Sequence, residues 1–123
     1  MIEPELDSQF QDATSLRDAG DLPGAKKILD RLSVEYPQRF GVWLVLGGVE
    51  MDLKDYEAAE RALTTATALA PQSEIASLAL FLTLKDLGRI NEAFTEMRRF
   101  LALRPESRQY ELLREELDEA GYH

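Results

Sequence analysis

Three prolines divide the chain at equal intervals. Pro37, Pro71 and Pro105 lie 34 residues apart, since 71−37 and 105−71 are both 34. The same period links Ala25, Ala59 and Ala93, and it links Gly20, Lys54 and Gly88. Proline breaks a helix interior because it lacks an N–H and clashes with the preceding turn. Each proline here closes a stretch with apolar residues at helical spacing: KKILDRLSVEYP, RALTTATALAP and FTEMRRFLALRP. No stretch alternates apolar and polar residues between hairpin turns, so strands are not expected.

The pattern predicts seven helices, at about 5–19, 22–36, 40–53, 56–70, 73–87, 90–104 and 107–120. The turns between paired helices are short. Asp21 and Asp55 stand where a carboxylate can cap the next helix, and Pro23 sits in a first turn. Arg89 holds the third such position and makes a weaker start. A helix pair of this kind exposes an apolar face that it cannot bury alone, so neighbouring pairs must stack. About three units are needed for stability, and the ends need polar caps. The tail SRQYELLREELDEAG supplies one. Tyr110, Leu113 and Leu117 form its apolar stripe, Glu111, Arg114, Glu115, Glu116 and Asp118 stay wet, and Gly121 marks the stop.

A 34-residue helix–turn–helix period resembles the tetratricopeptide repeat. In the middle unit, Trp43, Leu46 and Gly47 match the family's W-x2-L-G start. Ala59, Leu63 and Pro71 match its later small, large and proline positions. The first unit matches through Ala13, Leu16, Gly20, Ala25, Leu29 and Pro37. The third matches through Leu80, Leu84, Gly88, Ala93, Met97 and Pro105. Two departures stand out. Glu50 replaces the usual tyrosine, and Phe81 occupies the small-residue position held by Ala13 and Gly47, so the third pair must splay or repack. The resemblance implies an all-α fold, a right-handed α-solenoid of three helix–turn–helix pairs plus a capping helix. It implies one domain over 1–123, with repeats at about 5–38, 39–72 and 73–106 and the cap at 107–120.

Composition removes several classes of function. With 45% hydrophobic and 30% charged residues, this is an ordinary globular chain. It has no cysteine, hence no disulfide and no thiolate metal site. The net charge of −9 opposes nucleic-acid binding and would steer a basic partner inward, unless it serves solubility alone. Charged residues interrupt every apolar run well short of a membrane span. The start, MIEPELDSQF, lacks the basic region of a signal peptide, so a cytoplasmic location is expected. Neither an enzyme nor a cofactor or metal site is expected. The single histidine, His123, is terminal, and the carboxylates read as solvated charge on helix faces.

In tetratricopeptide arrays the first helices of successive pairs line a concave surface that binds a peptide or protein segment. Carried across, that surface falls on Asp7, Phe10, Thr14 and Arg17, then Gly41, Leu44, Gly48 and Met51, then Ile75, Leu78, Leu82 and Lys85. Asp18, Asp52 and Asp86 follow at its edge. Each set lies on one helical face. Its apolar members either form an interaction patch or are buried by neighbouring helices. The co-chaperones of this family clamp a terminal carboxylate with lysine, asparagine and arginine. Phe10, Thr14, Val45, Ile75 and Ala79 stand at those positions here, which argues against such a clamp.

The double glycine of VWLVLGGVEM follows the same logic. Gly47 is expected where paired helices approach closely. Gly48 faces the groove, as a notch for a ligand side chain or as a neutral substitution. The leading function is an adaptor or chaperone-like module that binds an apolar helical or extended segment of a partner. Arg17 and Lys85 would orient it, and Asp52 and Asp86 would answer its basic residues. One alternative is an acidic immunity-type inhibitor of a basic toxin, which the chain also resembles. Another is a homodimer paired through the same apolar row.

Overall fold

Side-chain caps on free N–H groups start several of the helices, and a left-handed residue or the approach of a proline stops them. In this computed structural model, which describes residues 4–122, there are seven: α1 (Pro4–Asp18), α2 (Leu22–Glu35), α3 (Phe40–Asp52), α4 (Tyr56–Leu69), α5 (Glu74–Asp86), α6 (Ile90–Leu103) and α7 (Arg108–Glu119). Asp21 and Asp55 accept from the N–H groups of Gly24 and Ala58. Ser73 and Ser107 cap α5 and α7 in the same way. Arg89 makes no side-chain cap bond to α6. Instead it pairs with Glu92 and with Glu60 of the preceding helix pair.

The turn positions of the 34-residue period share one conformation. Gly20, Lys54 and Gly88 have φ of +89°, +65° and +78°. Left-handed backbone suits glycine and strains a residue with a Cβ, so Lys54 is the strained member. Gly121, at φ +94°, ends α7.

Packing runs in chain order, each helix of α1 to α6 against the next. The first helices of successive pairs also touch, α1 against α3 and α3 against α5. The result is an all-α helical repeat solenoid, with no strand among the described residues. One core cluster joins Leu6, Ala25, Leu29, Leu32, Val42 and Val49 across α1 to α3, and Ala62 adds α4. The other joins Leu63, Leu80, Phe81, Met97, Phe100, Tyr110 and Leu117 across α4 to α7.

The third pair is repacked around aromatic rings. Phe81 is fully buried. Its ring meets Phe94 of α6 edge-on at 5.7 Å and Tyr110 of α7 at 6.0 Å. Tyr110 in turn lies 5.6 Å from Phe100. Where the second pair closes on a glycine, the third fills the same position with a ring that also docks α7.

Candidate functional site

The face shared by α1, α3 and α5 is built by what the other face of each helix must do. On α3, Val42, Leu46, Gly47, Val49 and Glu50 turn inward and are buried. Trp43, at the edge of that inner side, donates from Nε1 to the Pro37 carbonyl at 2.9 Å. Leu44, Gly48 and Met51 follow at i, i+4 and i+7, one strip of the opposite side.

Each groove position inferred from sequence has a definite setting. Leu44, Met51 and Leu78 are half-buried against the cluster of α4 to α7, and Phe10 is half-buried against the cluster of α1 to α3. Phe10 also reaches the start of α3, since a methyl at Gly41 would lie 4.0 Å from its Cζ. Ile75 and Leu82 are exposed, at 63% and 40%. The apolar face of α5 is therefore partly open. Thr14 is half-buried, and its hydroxyl donates to the Gln11 carbonyl. Arg17 pairs with its neighbour Asp18 at 3.4 Å. The Lys85 ammonium stands 5.8 Å from the Tyr122 ring centroid, tying the end of α5 to the end of the chain. Asp18, Asp52 and Asp86 are the last residues of α1, α3 and α5 and are exposed. There they face the negative ends of the helix dipoles.

The two glycines differ as their faces differ. A Cβ at Gly47 would lie 2.6 Å from both Cγ and Cδ2 of Leu63, which is fully buried. A Cβ at Gly48 would meet nothing within 4 Å.

Two buried carboxylates correct the view that all acids here are solvated. That view holds for Glu111, Glu115, Glu116 and Asp118 of α7, which are exposed. It fails for Glu50 and Glu96. Glu50 is buried and takes 2.6 Å contact from Lys26 Nζ of α2. Burial pushes its carboxyl above the ordinary range, against the opposing pull of Lys26. Burial works to lower the Lys26 ammonium, but the hydrogen bond and charge of Glu50 outweigh it and leave it raised. Contact is strong and desolvation is costly, as for other buried pairs.

Glu96 is satisfied on both oxygens. Oε1 accepts from Arg99 Nε at 2.8 Å, and Oε2 accepts from Arg99 Nη2 and the Ser77 hydroxyl, both at 2.6 Å. Ser77 also lies 2.7 Å from the Tyr110 hydroxyl, and Ser107 donates to Glu74 at 2.7 Å. These bonds hold α7 on α5 and α6. Burial pushes the Tyr110 phenol well above its usual range, beyond the lowering effect of Ser77.

Sequence reading missed both centres. Lys26 and Glu50 are 24 residues apart, so no local spacing pairs them. The Glu96–Arg99 spacing of three was a readable signal, but its connection to Ser77 and Tyr110 needs the stacked register. His123 lies outside the described residues. Among those residues no group of three or more His, Cys, Asp or Glu could hold a metal ion. No helix among them is long and apolar enough to cross a membrane.

The chain is similar to a crystal structure of MamA at 20% identity and a TM-score of 0.76, over 81% of this chain; it spans only 58% of that one. It is similar to the second TPR of Spaghetti (RPAP3) bound to the HSP90 peptide SRMEEVD, at 19% identity and 0.73, over 80% of this chain and 91% of that one. It is similar to the Yersinia enterocolitica type III secretion translocator chaperone SycD in an alternative dimer, at 15% identity and 0.79, over 96% and 89%. Identities this low establish the fold alone. No curated protein matches in sequence. The tetratricopeptide repeat model matches residues 16–80, which is 65 of the 123 residues. The chain belongs to the tetratricopeptide repeat family.

Proposed function

We propose that residues 1–123 act as one binding module. It holds an apolar segment of a partner protein on the face of α1, α3 and α5. One observation carries this reading: the face holds an apolar strip, half-buried at Leu44, Met51 and Leu78 and open at Leu82 and Ile75, together with Gly48, whose missing side chain leaves free space. Open apolar patches of this kind mark interaction sites. The ligand is an amphipathic helix or an extended strand with anchors at regular spacing, one of them seated over Gly48. Its flanks are basic, because Asp52 and Asp86 at the rim leave negative charge exposed beside helix C-termini. The fold supports a protein-interaction scaffold rather than a catalyst. The neighbours agree in kind, one bound to a peptide and another a secretion chaperone.

Leu82 is the best probe, because it is exposed and its replacement spares the core. Leu82→Glu and Gly48→Trp should keep the helical spectrum and melting behaviour while weakening partner binding by about tenfold or more. Unchanged affinity in both folded variants refutes the site. A homodimer through this face predicts a concentration-dependent mass in sedimentation that Leu82→Glu abolishes.

A further inference from the structure

We infer that the crevice between α2, α3 and α4 is a binding site for an alkylguanidinium head group. It is lined by Lys26, Asp30, Trp43, Glu50, Asp55 and Arg61, among others, and encloses about 270 Å3. That is just under the range of pockets for drug-sized ligands and suits one side-chain head. It shares no residue with the face of α1, α3 and α5 proposed above.

The chain supplies its own controls. At the positions 34 residues either side of Glu50 stand Leu16 and Leu84. Leucine therefore meets the packing requirement of this position, and a carboxylate there costs desolvation that leucine does not. The second control is Glu96, whose two oxygens are both fully bonded. The Glu50 side chain is 5% exposed, yet only Oε2 is engaged, by Lys26. Oε1 has no hydrogen-bond partner among the described residues. A buried charged acceptor left open carries a large penalty, and in a native fold it calls for an explanation such as a bound group.

The charges select the ligand. Asp30, Glu50 and Asp55 oppose Lys26 and Arg61, three negative against two positive, so the crevice carries one net negative charge. A single cationic head neutralises it. Lys26 already brings an ammonium to Oε2, and a planar guanidinium can donate to Oε1 and to a flanking carboxylate at once. Oε1 is buried, so its engagement requires the carboxylate to turn about its soft terminal torsion toward the crevice. The Trp43 indole lines the crevice, held by its bond to the Pro37 carbonyl, and is the aromatic partner on which a guanidinium would stack.

Trp43 is the sole tryptophan and lines this crevice, so its emission reports on it without a contribution from any other tryptophan. The test titrates agmatine, and separately an acetyl-Gly-Arg-Gly-amide peptide, at fixed ionic strength. The expected result is a saturable change in Trp43 emission with at least one probe. Butylammonium should bind about tenfold more weakly or less, and Glu50→Leu should weaken binding by about tenfold or more. Response to agmatine indicates a small-molecule source, and response to the peptide alone indicates a polypeptide source; either upholds the site. Glu50→Leu is expected to fold, given Leu16 and Leu84, and Glu50→Gln replaces it if it does not. The inference is overturned if neither probe gives saturation, if butylammonium binds equally well, or if the folded Glu50 variant keeps wild-type affinity.

Discussion

Gly47 and Gly48 allow a direct test, because the same substitution one residue apart should have opposite effects. Replacing either with alanine gains about 1 kcal/mol of helix propensity. At Gly48 nothing lies within 4 Å of the added methyl, so that gain should appear almost whole. At Gly47 the methyl would sit 2.6 Å from Leu63 Cγ, an atom near the base of a fully buried side chain. It cannot swing aside, so α3 and α4 must separate. Overpacking of this kind costs about 1–3 kcal/mol. Propensity cancels between the two variants, and the gap between them is the overpacking cost alone, about 1–3 kcal/mol. With about 2.1 cal/mol/K of unfolding entropy per residue, 1 kcal/mol moves Tm by about 4 °C for a chain of this length. Thermal melts followed by circular dichroism should place Gly48→Ala above wild type and Gly47→Ala about 4–12 °C below Gly48→Ala. Urea midpoints at unchanged m should give the same order. Equal melting temperatures for the two variants would refute the claim that Gly47 sets the helix separation.

Other positions yield further tests. Lys54→Gly should stabilise by about 0.5–1 kcal/mol, since it relieves a left-handed residue where Gly20 and Gly88 stand in the equivalent turns; a lower Tm would contradict this. Tyr110→Phe should cost about 1 kcal/mol at neutral pH by removing the contact with Ser77. Its alkaline behaviour should differ as well. The folded phenol titrates above its usual value, so stability is intact below about pH 10. Above that, the unfolded chain ionises first and stability falls by about 1.4 kcal/mol per pH unit. The variant lacks this component, so wild type and variant should converge in stability as pH rises; parallel curves would show that Tyr110 is not protected. Association with a basic partner should slow steeply between low and physiological salt, given the net charge of −9, and a flat response would deny electrostatic steering.

Much of the fold was legible because its determinants are local and repeated. Pro37, Pro71 and Pro105 mark the ends of the second helices, and Asp21 and Asp55 cap the helices that follow them. Gly20 and Gly88 announce the left-handed turns through glycine's freedom, whereas Lys54 was readable only through the period. Gly47 was legible for the same reason, as one place in a repeating pattern. What escaped was chemistry between repeats. Glu50 stood out only as a departure from the repeat's tyrosine until Lys26 of α2 came within reach of it. Ser77, Glu96 and Tyr110 come from three helices, and only stacking brings them together. The groove residues fall between these cases. Their shared face follows from helical spacing, but the half-burial of Leu44 and Leu78 and the exposure of Leu82 depend on how the next pair sits.

The central proposal is that the face of α1, α3 and α5 receives an apolar segment of another protein. Selection of a random peptide display library on the wild-type protein, with counter-selection on Leu82→Glu and Gly48→Trp, tests it most directly. The account predicts enriched peptides with apolar anchors at i, i+3 or i+4, and i+7, or alternating as in a strand, with flanking lysine or arginine. These peptides should fail to bind either variant. Peptides that bind wild type and both folded variants equally well, or that carry no apolar anchors, would contradict it.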